Sequence, residues 1–203
     1  MSWDNNAINV KQLRMKCIAL LALTIMLRPS DIAPKAMYVD EDDELHSYIF
    51  TEDQINFKTD GTMSITIHGN KNDSKRNGFI VDVPNSSDVN VCPVQAIKDY
   101  ISRTSKYRKL NSPVFISVRK PYAALSSQSI RNILNEAIET VGLSRSLYSA
   151  KCFRPTGATQ AVAAGVNPDT VMKIGRWKTA SVFYEHYVHG RTPKDFTDKI
   201  LKL

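Results

Sequence analysis

The spacing of apolar side chains changes twice along this chain, and those two changes restrict the fold more than any other feature. Residues 8–27 carry apolar side chains at helical spacing, which predicts a largely buried helix. From about 53 to 84 the spacing becomes alternating: Met63, Ile65 and Ile67 fall on one face, Ser64, Thr66 and His68 on the other, and Phe79, Val81 and Val83 repeat the pattern. The segment between them, NKNDSKRNG, is rich in turn formers, so two strands are expected to make a hairpin with Lys71, Lys75 and Arg76 at its tip. After Pro84 helical spacing returns, over roughly 93–106, 126–141, 155–165, 168–176 and 179–188. This order predicts a mainly α domain with a small antiparallel β-sheet, an α+β fold.

Punctuation residues sharpen the boundaries. Pro29 cannot continue the first helix, which puts Arg28 at or just past its C-terminus. Asn167 and Pro168 have the cap and first-turn chemistry of a helix start, and Gly142 and Gly165 that of helix stops. The acidic stretch VDEDDELH, residues 39–46, reads as a solvated loop or helix end. Thr192-Pro193 opens a short tail helix with Phe196, Ile200 and Leu203 on one side.

A net charge of +7 with a pI near 9.3 leans toward a polyanionic partner. Cys17, Cys92 and Cys152 are odd in number and lack metal-ligand spacing, so free thiols in a reducing compartment are expected. The longest apolar run, Cys17 to Leu27, is too short to span a bilayer, and no secretory signal is visible, so the chain reads as soluble and intracellular. His46, His68, His186 and His189 have no carboxylate- or cysteine-rich surroundings in sequence, and neither a metal nor another cofactor is expected.

Four residues could carry chemistry on such a partner: Arg28 in LRPSD, Arg154 in KCFRPTGAT, Trp177 in GRWKT, and Tyr184 or Tyr187 in FYEHYVH. Taken singly, Arg28 reads as a helix cap, Lys151 and Arg154 as a surface pair, and Trp177 and Tyr184 as core aromatics. Together they suit phosphoryl transfer to a phenol. A phosphodiester is already an anion, and fixed guanidinium forks suit the charge that spreads over its oxygens in the transition state.

The same segments resemble the tyrosine recombinase, or phage-integrase, family. LRPSDI resembles the segment with the first catalytic arginine and an acidic residue three positions later. KCFRPTGATQAVAAGVNPDTVMKIGRWKTASVFYEHYVH is similar to the His-x-x-Arg box, the helix pair after it, the His-or-Trp position and the nucleophilic tyrosine. The strand–turn–strand is similar to the hairpin that supplies a catalytic lysine. The resemblance covers about residues 10 to 190. It implies Arg28 and Arg154 as a phosphate clamp, Asp31 orienting the arginine or a neighbour, Lys71 as general acid with Lys75 as its substitute, and Lys151 in the histidine place. Trp177 takes the His-or-Trp position and Tyr187 becomes the nucleophile. Lys75, Arg76, Arg176 and Lys178 are the expected DNA contacts. Ten residues separate Trp177 from Tyr187, one more than the commonest family interval. A one-residue shift turns a helical side chain by about 100°, so local geometry must compensate.

The resemblance implies cleavage and rejoining of double-stranded DNA through a 3′-phosphotyrosyl link, in site-specific recombination or the integration and excision of a mobile element. Type IB topoisomerase-like relaxation and a catalytically inactive DNA-binding or assembly module are the competing readings. Residues 1–191 are expected to form one catalytic domain and 192–203 a tail helix, with the family's N-terminal DNA-clamping domain missing. A homo-oligomer on DNA is implied, its tail docked in cis or in trans. The protein would work in the nucleus if from a eukaryotic element and in the cytoplasm if bacterial or phage.

Overall fold

The computed structural model describes residues 4–34, 38–39, 45–46, 49–68, 78–110 and 112–187. Lys71, Lys75, Arg76, His189 and the tail from 192 onward lie outside the described residues.

Helix α1 (Val10–Thr24) runs through the middle of the domain. Asn9 caps it: the side chain accepts from the Gln12 N–H, and the Gln12 side chain accepts from the Asn9 N–H. Leu13, Cys17, Ile18 and Leu21 are fully enclosed. Even the polar Arg14 and Lys16 are buried, and each has an acceptor: Arg14 Nη1 donates to the Ile116 carbonyl at 2.7 Å and Lys16 Nζ to Asn5 Oδ1 at 2.5 Å. A helix buried over most of its circumference needs neighbours on several sides, and α3 (Pro93–Thr104), α4 (Ser127–Thr140) and α5 (Phe153–Ala163) supply them. No described helix is long and apolar enough to cross a membrane.

The first helix is shorter than the periodicity predicts. It stops at Thr24 because Met26 adopts a left-handed backbone (φ 53°), and Pro29 opens a separate short helix, α2 (Pro29–Ile32), at its first position. Arg28 is therefore the N-cap of α2 rather than an appendage of α1.

Strands β1 (Tyr38–Val39) and β2 (Leu45–His46) pair antiparallel at the two ends of the acidic stretch. The main sheet is antiparallel, ordered β3 (Ile55–Phe57), β4 (Met63–Ile67), β5 (Phe79–Val83). Ile65 opposes both Ile55 and Val81, and Met63 opposes Val83, so one face of the sheet is continuous with the main core. The alternation predicted from sequence holds on β4 and β5, and β3 adds an edge that its three residues do not announce.

Two apolar cores result. The larger joins α1, the sheet, α3 and α4. A small second core, made of Met26, Ala158, Val171 and Phe183, sits between α5, α6 (Pro168–Gly175) and α7 (Ala180–Tyr187), with Trp177 and Tyr187 packed on it. Gly157 lets α5 approach α1 closely: a Cβ there would lie 2.1 Å from the Leu23 carbonyl oxygen. Gly157→Ala should lower the unfolding free energy by about 1–3 kcal/mol, despite alanine's helix-propensity advantage of about 1 kcal/mol. Urea denaturation checks this, and an unchanged or raised midpoint would show that the two helices can separate freely.

Candidate active site

Arg154 lies in the first turn of α5 with its guanidinium folded inward, buried rather than on the surface. Nη1 donates to the Met26 carbonyl at 2.5 Å, and Nη2 donates to the Gly175 carbonyl. The left-handed turn at Met26 and the end of α6 thus both present a carbonyl to the same fork. The guanidinium carbon stands 3.9 Å from the centre of the Trp177 ring and 5.3 Å from that of Tyr187. The Trp177 and Tyr187 rings are 4.7 Å apart, and Thr159 Oγ1 donates to the Tyr187 carbonyl at 3.1 Å.

The ten-residue interval between Trp177 and Tyr187 leaves them in contact. Trp177 lies in the turn before α7, outside the helix that carries Tyr187, so the 100° rotation does not accumulate across the interval. Tyr184 packs edge-on against Phe183 at 5.2 Å and is 51% exposed. Of the two tyrosines, it is Tyr187 that lies over the arginine.

Asp31, one turn after Arg28, ties the two arginine segments together. Its Oδ2 accepts from the Arg28 backbone N–H at 2.8 Å and from Arg176 Nη2 at 2.6 Å. The side-chain partner of Asp31 is Arg176. Arg176 itself departs from expectation. Expected among the DNA contacts, it is buried against Asp31, with its side chain only 2% exposed. Burial, with the charges of Arg28 and Arg176 adding to it, pulls Arg154 down to about 9, while Tyr187 and Asp31 act in the opposite sense. Arg154 remains a cation at neutral pH. Among the described residues Arg154 Nε, Arg176 Nε and Nη1, and Trp177 Nε1 are buried donors without an acceptor, a pattern that suits an anion.

Gly175 is needed for close approach. A Cβ there would fall 1.8 Å from the Trp177 ring. Gly175→Ala should push the indole off Arg154 and cost about 1–3 kcal/mol of stability. The check is the ring-current shift of the Arg154 side-chain protons, which should collapse in the variant; a retained shift would mean that the ring finds room.

The remaining expected residues are less concentrated. Lys151 sits in the 3-10 turn Ala150–Cys152, and Lys178 follows Trp177; both are exposed. Two basic segments lie outside the expected set. From Tyr100 to Asn135 the chain holds seven basic residues and no acidic one, a signal present in the sequence. Arg103 and Arg108 are consumed by backbone carbonyls and Glu52. Lys106, Lys109, Arg119 and Lys120 are exposed, and the Tyr107–Tyr122 stack, 4.5 Å between rings, joins their two segments.

A mainly helical domain on a three-stranded sheet, with arginines, tryptophan and tyrosine gathered at one end, is the tyrosine recombinase catalytic-domain fold. The phage integrase family model matches residues 4–193, and the chain belongs to that family. It is 22% identical over 147 residues to an integrase/recombinase xerD homolog from Selenomonas ruminantium, spanning 70% of this chain and 42% of that protein. Among solved structures it is similar to XerA recombinase (TM-score 0.65, 13% identity, 94% of this chain and 57% of that one). It is also similar to XerH site-specific recombinase bound to its difH substrate (TM-score 0.64, 11% identity, 100% of this chain and 50% of that one). A third is the Tn1549 transposon integrase with circular-intermediate DNA (TM-score 0.55, 15% identity, 97% of this chain and 59% of that one). The chain thus spans about half the length of these relatives.

Proposed function

We propose that this domain cleaves and rejoins double-stranded DNA through a 3′-phosphotyrosyl intermediate, in site-specific recombination or movement of a mobile element. The observation that carries the proposal is the buried Arg154 guanidinium, with Trp177 and Tyr187 stacked around it and the charge of Arg28 acting on it. Arg28 and Arg154 hold the non-bridging oxygens of the scissile phosphate, and the indole N–H of Trp177, which has no acceptor among the described residues, adds a third donor. The Tyr187 hydroxyl oxygen attacks phosphorus. The P–O5′ bond breaks, the phenol proton leaves to solvent, and the departing 5′-oxygen takes a proton from the hairpin lysine, Lys71 or Lys75. Lys151 keeps a positive charge one turn from Arg154. Rejoining runs the same steps backward, and the energy of the broken bond is conserved in the tyrosyl ester. Lys106, Lys109, Arg119 and Lys120, together with Arg76 and Lys178, track the phosphate backbone. Assembly as a homo-oligomer on DNA belongs to the same proposal and rests on family membership alone.

The test is a duplex nicked close to the cleavage point, which lets the short 5′-hydroxyl fragment diffuse away and traps the covalent species; mass mapping then identifies the modified peptide. A second reading, a DNA-binding module without cleavage, is favoured by the two carbonyls that already occupy the Arg154 fork. Salt-sensitive DNA binding with no covalent species would establish it in place of the first.

A further inference from the structure

Arg176 stands where the Arg28 turn is fastened to the end of α6, beside the Arg154–Met26 hydrogen bond that joins the same parts of the chain. Its carboxylate partner is 145 positions upstream, and both side chains are almost fully enclosed, 2% and 8% exposed. The same Asp31 oxygen that accepts from Arg176 also accepts from the Arg28 backbone N–H. Along the chain, the residue before Arg176 supplies the carbonyl held by Arg154, and the residue after it supplies the ring stacked on Arg154. To do this Arg176 adopts a left-handed backbone, φ 61°, where glycine would be the default.

A buried ion pair alone is a weak device for stability, because the desolvation of both ions offsets their attraction. Here the donors also outnumber the acceptors: among the described residues Nε and Nη1 of Arg176 have no partner, and the Asp31 carboxylate acts on both Arg154 and Arg176 while Arg28 adds a further positive charge. That surplus of fixed charge is suited to a passing anion.

We propose that the Arg176–Asp31 clasp positions the Arg28–Arg154 clamp and holds a third positive charge behind the scissile phosphate, making Arg176 a positioning residue for strand cleavage. The inference rests on the strand-cleavage reading. Asp31 sets the Arg28 turn, the turn at Arg176 sets Trp177 over Arg154, and the residual charge favours the dianion-like transition state over the ground-state diester.

The experiment compares two nicked duplexes, one with an ordinary phosphodiester at the scissile position and one with a neutral methylphosphonate there. Single-turnover adduct formation and equilibrium binding are measured on both, for the wild type, Arg176→Met and Arg176→Lys. A charge-positioning role predicts that Arg176→Met loses about a hundredfold in cleavage of the diester but only a few-fold on the methylphosphonate, with Arg176→Lys between the two. Equal losses on both duplexes, or none on either, would overturn the clasp and leave an ordinary structural ion pair. If the wild type forms no adduct with either duplex, the cleavage reading itself falls, and the binding comparison then decides on the clasp: a preference for the charged duplex that shrinks in Arg176→Met supports it, and an unchanged preference overturns it. If Arg176→Met does not fold, Arg176→Lys carries the comparison, and equal losses on both duplexes overturn the clasp.

Discussion

Tyr187→Phe should abolish the covalent protein–DNA species, on the order of 10⁴-fold or more, while DNA binding stays within a few-fold of the parent. The substitution removes one oxygen and keeps the ring that packs 4.7 Å from Trp177, so stability should change by less than about 1 kcal/mol. Tyr184→Phe is the matched control. Its ring leans on Phe183, half exposed, and has no contact with the arginine, so adduct formation should persist. Quantitative gel analysis of trapped complexes from both variants decides the assignment. An adduct that survives Tyr187→Phe and vanishes with Tyr184→Phe would transfer the nucleophile to the exposed tyrosine and require α7 to turn.

Arg154→Ala should be the most damaging single substitution, because this side chain does several things at once. It satisfies the carbonyls of Met26 and Gly175, it fills the space beside two aromatic rings, and it carries charge. Truncation leaves buried acceptors without donors and opens a void, at a cost of about 2–5 kcal/mol of stability. Cleavage should fall by about 10³–10⁵-fold, the range associated with an arginine that stabilises phosphoryl-transfer charge. Arg154→Lys separates the components. It retains the charge but lacks the planar fork that reaches two carbonyls and stacks on indole. The expected order is arginine, then lysine about 10²–10³-fold lower, then alanine. Single-turnover trapping beside urea denaturation measures both effects. Full activity in the lysine variant would mean that point charge alone suffices and that the stacked geometry is incidental.

The long periodic elements were legible in the sequence because their patterns run for several repeats. The expected helices at 93–106 and 126–141 are Pro93–Thr104 and Ser127–Thr140, and the expected strands fall on β4 and β5. Strand β3 was not legible, since three residues after a 3-10 turn cannot show alternation. The early end of α1 was hidden for another reason: methionine at Met26 gives no hint of a left-handed backbone. Arg176 is the same case with larger consequences. Nothing local marks it as the cap of α6, and its carboxylate lies in a distant segment, so only the folded chain shows that it is buried and paired. The candidate residues themselves were legible as a set because Arg28, Arg154, Trp177 and Tyr187 stand in motifs whose order could be read. The roles of Lys71, Lys75 and Arg76 fall on residues outside those described.

The cluster around Arg154 is anchored to the minor apolar layer, and the bulk of the hydrophobic interior lies elsewhere. Met26, Ala158, Val171 and Phe183 bury little surface, and sub-global openings select regions with few apolar contacts. This end is therefore where sub-global opening is expected first. Trimming Phe183 or Val171, in the cluster on which Trp177 and Tyr187 pack, should lower activity more than it lowers the stability of the main core.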